Sequence, residues 1–245
     1  MKKLYEINEL LFTVIIIVAD LLLYLIGQEL LWIIGINKSA TALIGIFEMI
    51  FLYVWIDKNG LKEKYGFCKI ADSEQGINRV IYIVPLLLLV ILQFTREVSI
   101  NYSLIDTILF IIVNIRIGFM EELIYRGFLY KALCKYDEGL ATVISCVVFG
   151  LIHWRGEGMV LLTLIHMIHA TIVGFLFCTV FYSGKSLWPC IITHGIYNSC
   201  IAFLSIETTM WNYLIISVLK VIISIGFAWY ILLKTDSHIL EYEKV

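Results

Sequence analysis

Residues 104–134 read LIDTILFIIVNIRIGFMEELIYRGFLYKALC, a run that is apolar along most of its length yet carries Glu121, Glu122 and Arg126 in its second half. About 20 mostly apolar residues suffice for a helix to cross a bilayer, so this stretch has the length of a membrane-spanning helix. An ionisable group in such a span costs on the order of 3 kcal/mol on insertion scales, so the three charges mark a candidate functional site.

The rest of the chain has the same character. Of 245 residues, 61% are hydrophobic and 16% charged, and the mean hydropathy is +0.92. Soluble chains are under half apolar and about a quarter charged. That excess cannot be hidden in one globular core, which makes the bilayer the natural solvent. Eight segments qualify as spans: about 9–35, 40–57, 79–95, 104–134, 139–154, 158–183, 187–206 and 210–234. The expected fold class is all-α, a polytopic membrane helix bundle of about eight transmembrane helices in a single domain, residues 1–245. The only long polar connection is DKNGLKEKYGFCKIADSEQGIN, residues 57–78, and there is no internal repeat or low-complexity tract. The start, MKKLYEINELLF, is basic and then apolar like a signal peptide, but no small-residue cleavage site follows, and it reads as a retained first helix.

Orientation follows from the loop cations, which favour the cytoplasmic side. With the N-terminus cytoplasmic, twelve lysines and arginines face that side and three (Lys38, Arg96 and Arg155) face the other. Arg116, Arg126 and Lys220 remain within spans. Eight spans then return the C-terminus to the cytoplasm. The net charge of −2 says little about partners, and no basic surface run suggests nucleic acid. Cys68, Cys134, Cys146, Cys178, Cys190 and Cys200 lie mostly in apolar stretches with no CxxC pair. They read as small buried hydrophobes, not as a disulfide frame or zinc knuckle.

The intramembrane polar groups concentrate in the second half: Glu121, Glu122 and Arg126, then His153, His166 and His169, then His194 and Asn198. Glu122 and Arg126 are four apart, the favoured order for an ion pair on one helix face. Glu121 points about 100° away from Glu122 and has no partner in its own helix, so another span must supply one. A carboxylate in that position suits a general base. His194 and Asn198 are also four apart and both offer N–H donors, as an oxyanion hole requires; helix–helix hydrogen bonding accounts for the pair equally well. His166 and His169 could hold a metal together or with His153, but nothing resembles HExxH, and interhelical hydrogen bonding is the simpler reading. Counting about 1.5 Å per residue from a turn near 135–138 puts Glu121 and His153 roughly 20 Å deep. His194 and Asn198 come out at roughly 10–16 Å from the same side. One cavity, open toward the cytoplasm, accommodates all four.

Glu121-Glu122-x-x-x-Arg126-Gly127, Phe149-x-x-x-His153 and His194-x-x-x-Asn198, with Leu187-Trp188-Pro189 before the third, resemble in order the three motifs of the CPBP family. This family comprises the type II CAAX prenyl endopeptidases and the bacterial CAAX-protease and bacteriocin-processing (Abi) proteins. The resemblance covers about residues 115–200. It implies an intramembrane endopeptidase in which Glu121 and His153 activate a water, His194 and Asn198 stabilise the oxyanion, and Glu122 and Arg126 support the site. The substrate would be a membrane-associated peptide or protein. The family has been described both as metal-free and as metal-dependent. No cofactor is required on the first description; on the second, a divalent metal such as zinc would fall to Glu121, His153 and His194. A different class of function is a non-catalytic membrane binding protein such as a bacteriocin self-immunity factor. A transporter ranks last, because the chain lacks the repeat symmetry and paired broken helices of transporters.

Overall fold

The computed structural model describes residues 1–34, 39–70, 80–100, 102–154, 160–204 and 209–242. Lys38, Arg79, Arg155, Lys244 and the 71–78 part of the polar connection, all used in reading the sequence, lie outside these residues. Among the described residues the regular structure is helical, with one isolated bridge between Val98 and Leu204. In chain order the elements are α1 (Lys2–Ile7), α2 (Glu9–Ile34), α3 (Ser39–Lys58), α4 (Val80–Ile91) with a 3-10 turn Leu92–Thr95, and α5 (Leu104–Glu122). The last runs straight into a π-helix, Leu123–Tyr130, and a short α6 (Lys131–Leu133). Then come α7 (Glu138–Leu151), α8 (Val160–Gly184), α9 (Trp188–Ser199) with a 3-10 turn Cys200–Phe203, and α10 (Met210–Tyr242).

Each of the eight apolar segments is therefore helical, and the local sequence shows why the helices begin where they do. Ser103 caps α5 by accepting from the Asp106 N–H at 3.2 Å, and Asp137 caps α7 by accepting from Leu140 at 2.6 Å. Pro189 occupies the first turn of α9, where its missing N–H leaves no hydrogen bond unmade. Glu9–Gly27, Val160–Gly184 and Met210–Thr235 are long and apolar enough to cross a membrane, while Val80–Thr95 and Glu138–Leu151 are apolar but shorter. Large apolar side chains stand exposed along the long helices: Val14, Val18 and Leu22 on α2, and Val218, Ile222, Ile225 and Trp229 on α10. An apolar exterior of that extent belongs against lipid tails and not against water. The chain is a membrane protein.

Inside, the π-helix is buried along all eight of its residues, from Leu123 to Tyr130. Phe12, Leu52, Tyr65, Phe67 and Phe181 pack around it, so the segment that carries Arg126 is the axis of the main core. A second core joins α4, α8 and α10 through Leu86, Leu176, Val180 and Ile231. The helices that hold the polar groups meet at a close crossing: a Cβ on Gly118 would lie 2.5 Å from the Gly195 nitrogen, so α5 and α9 approach backbone to backbone. Only glycine permits that approach, and it brings the residues around Glu121 and His194 together.

The two ends of the bundle differ. At one, Lys64 bonds Glu9 at 2.6 Å and Tyr5 at 2.7 Å, and Lys135 reaches Glu9 at 2.9 Å. The 61–70 loop docks there on the turn before α9 through Leu187 N–H to Gly66 at 2.8 Å and Ser186 Oγ to Cys68 at 2.7 Å. Thr235 of α10 bonds Ser183 at 3.2 Å, placing the last turns of α10 at the same end. At the other end Ser99 N–H bonds Phe203 at 3.0 Å beside the Val98–Leu204 bridge. The lysine-rich elements that the loop-charge rule groups on one side are thus together in space.

Candidate active site

Three of the side chains form one buried ionic unit. Arg126 Nη1 donates to Glu122 Oε1 at 3.1 Å, and both side chains are 0% exposed. The same Glu122 oxygen accepts from His194 Nδ1 at 2.8 Å. The expected Glu122–Arg126 pair is present, but it does more than steady its own helix, because it holds the imidazole of α9. Glu121 does find its partner on another helix: its Oε2 lies 3.7 Å from His194 Nε2. That separation is beyond hydrogen-bond reach, and Oε2 is buried with no hydrogen-bond partner. His194 is therefore suspended between two carboxylates, bonded to one and facing the other.

His153 stands in the turn that closes α7, with Nδ1 2.7 Å from the Phe149 carbonyl. A carbonyl only accepts, so Nδ1 carries the proton, and in the neutral ring Nε2 presents a lone pair. Phe149 also separates the two imidazoles, its ring centroid 4.8 Å from that of His153 and 6.0 Å from that of His194. The Arg126 guanidinium lies 4.0 Å over the other side of this hub. Gly174 makes room for it, since a Cβ there would meet Arg126 Nη2 at 2.9 Å and Phe149 at 3.2 Å. The Glu121 charge acts on both His153 and His194.

His153, His194 and Asn198 line one cavity of about 590 Å³. Glu121 is not among its lining residues, but its side chain is partly exposed and its Oε2 lies 3.7 Å from His194 Nε2, at the edge of the same wall. His166 and His169 do line it, with the His166 ring 5.3 Å from His153. His169 Nε2 is buried without a hydrogen-bond partner, so the expected interhelical bond is not made at that atom. The far wall carries Gln93, Arg96, Tyr197, Tyr213 and Lys220. These come from helix ends near the Val98–Leu204 bridge and from the first half of α10, away from the lysine-rich end.

Among the described residues, no three His, Cys, Asp or Glu side chains gather as metal ligands. The set Glu121, His153 and His194 is not drawn together for that purpose, and His194 Nδ1 is already committed to Glu122. All six cysteines are free, with Cys146, Cys178, Cys190 and Cys200 buried, as small hydrophobes would be.

The sequence reading missed a second buried cluster. Arg116 bonds both Asp20 on α2 and Glu48 on α3, the latter at 2.5 Å. The signal was present, since Asp20 and Glu48 each interrupt an apolar run by the same criterion that picked out Glu121. Lys220 likewise interrupts the apolar run of α10.

Comparison with known proteins bears on the same segment. Residues 103–200 match the Rce1-like, type II CAAX prenyl endopeptidase family model. The Rce1-like segment contains Glu121, Glu122, Arg126, His153, His194 and Asn198, and it is the family the three motifs resemble. A Bacillus subtilis (strain 168) protein named "Putative membrane peptidase YdiL" is 27% identical over 190 residues, which cover 77% of this chain and 61% of that protein. No solved structure matches the chain.

Proposed function

We propose that the chain is an intramembrane endopeptidase that hydrolyses a peptide bond of a membrane-associated peptide or protein. The observation that carries this is the placement of His194 between Glu121 and Glu122, on a cavity wall shared with His153 and Asn198. In this reading Glu121 takes a proton from a water that also bonds the lone pair of His153 Nε2. The water oxygen attacks the peptide carbonyl carbon, and the carbonyl oxygen becomes an oxyanion. Asn198 and His194 donate to that oxygen. As the C–N bond breaks, the proton held by Glu121 passes to the departing amine, so water and peptide yield one acid and one amine. His194 needs protons on both nitrogens for this role, since the Nδ1 proton is used on Glu122; a ring flanked by two carboxylates suits that imidazolium. Glu122 and Arg126 position the ring and touch no substrate.

The Rce1-like match supports the protease class, and an apolar cleft of about 450 Å³ between α3, α5 and α9 supports a substrate that arrives from the bilayer. We read the eight helical segments as eight crossings, with both chain ends on the cytoplasmic side. The endopeptidase is tested by peptide cleavage with protein purified into lipid discs. Glu121→Gln and His153→Ala should each lose two or more orders of magnitude in rate, in line with loss of a general base. A chelator should leave the wild-type rate unchanged. Wild-type rates in both variants would end the assignment, and loss of activity with the chelator would replace its metal-free form. Binding of a peptide without cleavage would favour the sequestering, immunity-type protein instead.

A further inference from the structure

Lys131 and Lys185, at the lysine-rich end of the bundle, form no ion pair among the described residues. Lys185 opens the turn between α8 and α9 at φ +54, and among the described residues it alone, besides glycines, has a positive φ. Glycine takes this left-handed backbone freely, whereas any other L-residue brings its Cβ against the carbonyl. A long cationic side chain kept at such a position points to a use for that side chain. The turn is pinned: Lys185 N–H bonds the Phe181 carbonyl at 2.9 Å, and the Cys68 thiol donates to the Lys185 carbonyl at 3.3 Å. The Lys185 ammonium lies 4.5 Å from the Tyr182 ring centroid. Lys131 arrives from α6, half-buried, with its ammonium 5.0 Å from the ring centroid of that same Phe181. The Lys185 charge acts on Lys131, while Glu138 reaches Lys131 only at longer range than an ion pair. Other lysines at this end are paired, Lys62 with Asp57 at 2.7 Å, and Lys64 and Lys135 with Glu9 at 2.6 and 2.9 Å.

We propose that Lys131 and Lys185 together hold the phosphate of an anionic phospholipid headgroup at the membrane surface. Two like charges kept near each other by aromatic faces and a pinned backbone are favoured once an anion lies between them. A phosphodiester offers two oxygens that share its charge, one for each ammonium. Tyr182 and Trp188, amphipathic rings of the kind that settle at the headgroup layer, flank the same turn and set its height. The phosphate is a lipid's because Ile192 and Ile196 stand exposed on α9 just below the turn, an apolar exterior that receives acyl chains. The site touches no reacting atom and stands whether or not the chain cleaves peptides.

The test counts, by native mass spectrometry, the lipids retained on protein released from discs of equimolar phosphatidylglycerol and phosphatidylcholine. A lysine at the membrane surface strengthens binding of an anionic lipid about fivefold, so the pair should favour phosphatidylglycerol by roughly twentyfold to thirtyfold. Lys131→Met and Lys185→Gly should each lower that preference to about a fifth, and Lys185→Arg should keep it. Lys185→Gly suits the backbone, so its melting temperature in phosphatidylcholine alone should equal or exceed that of wild type. A lost preference in that variant then reports the missing charge and not a misfolded turn. Lys62→Gln, which removes a paired lysine from the same end, should leave the preference unchanged. Equal retention of the two lipids, or full preference in the Lys131→Met/Lys185→Gly double variant, would overturn the site. An equal loss in Lys62→Gln would overturn it in favour of diffuse charge. Glycerol phosphate at the lipid's concentration should displace nothing; displacement would make this a site for soluble phosphate and overturn the lipid.

Discussion

At the scale of single residues, Glu122 connects support to chemistry. One of its oxygens takes both Arg126 at 3.1 Å and His194 at 2.8 Å. Substituting Glu122→Gln leaves a fully buried guanidinium without its counter-charge, a loss worth about 3–5 kcal/mol in other buried pairs. The same change weakens the hold on His194, so thermal stability in detergent and cleavage rate should fall together. A variant as stable and as active as wild type would show that the pair is dispensable. Part of this cluster was legible in the sequence: i,i+4 spacing forecast the ion pair, and the lack of an i±4 partner forecast an interhelical one for Glu121. That Glu122 would reach α9 was not legible, because nothing local in either helix records which neighbour it packs on. The Asp20–Glu48–Arg116 cluster is a different case. Its three charges interrupt apolar runs in plain view, but no motif joins them, and only the fold shows that they meet.

Among the elements, the α5–α9 crossing decides the site. Gly118 and Gly195 let the backbones approach, one residue from His194 and three from Glu121. Gly118→Ala places a methyl 2.5 Å from the Gly195 nitrogen, where backbone and not a flexible side chain must yield. Overpacking of this kind costs about 1–3 kcal/mol, and the helices should part enough to widen the 3.7 Å Glu121–His194 separation. The expected outcome is a lower melting temperature with a disproportionate loss of cleavage rate; an unaltered rate would show that the crossing does not tune the site. Apolar runs marked most helix ends to within a few residues, although α10 continues to Tyr242, past the expected end at 234. The π-helix Leu123–Tyr130 left no such mark, since LIYRGFLY reads as a continuation of the same apolar helical run.

For the whole molecule, composition alone announced the bilayer, and the loop lysines correctly grouped elements that the fold brings to one end. Less legible was which residues line the cavity: Gln93 and Tyr213 join His153 and His194 there, and a residue count from one surface does not record which neighbours close a wall. Reporter fusions test the eight-crossing reading: a tag at position 60 and one after residue 242 should report the same, cytoplasmic compartment, and opposite compartments would refute it. The central claim is hydrolysis at the Glu121–His153–His194–Asn198 site, and its most direct test is peptide cleavage by the purified protein in heavy-oxygen water, read by mass spectrometry. The account predicts heavy oxygen in the newly formed carboxyl group with wild type, and no product with Glu121→Gln. Product without the heavy atom, or product from Glu121→Gln at the wild-type rate, would contradict it.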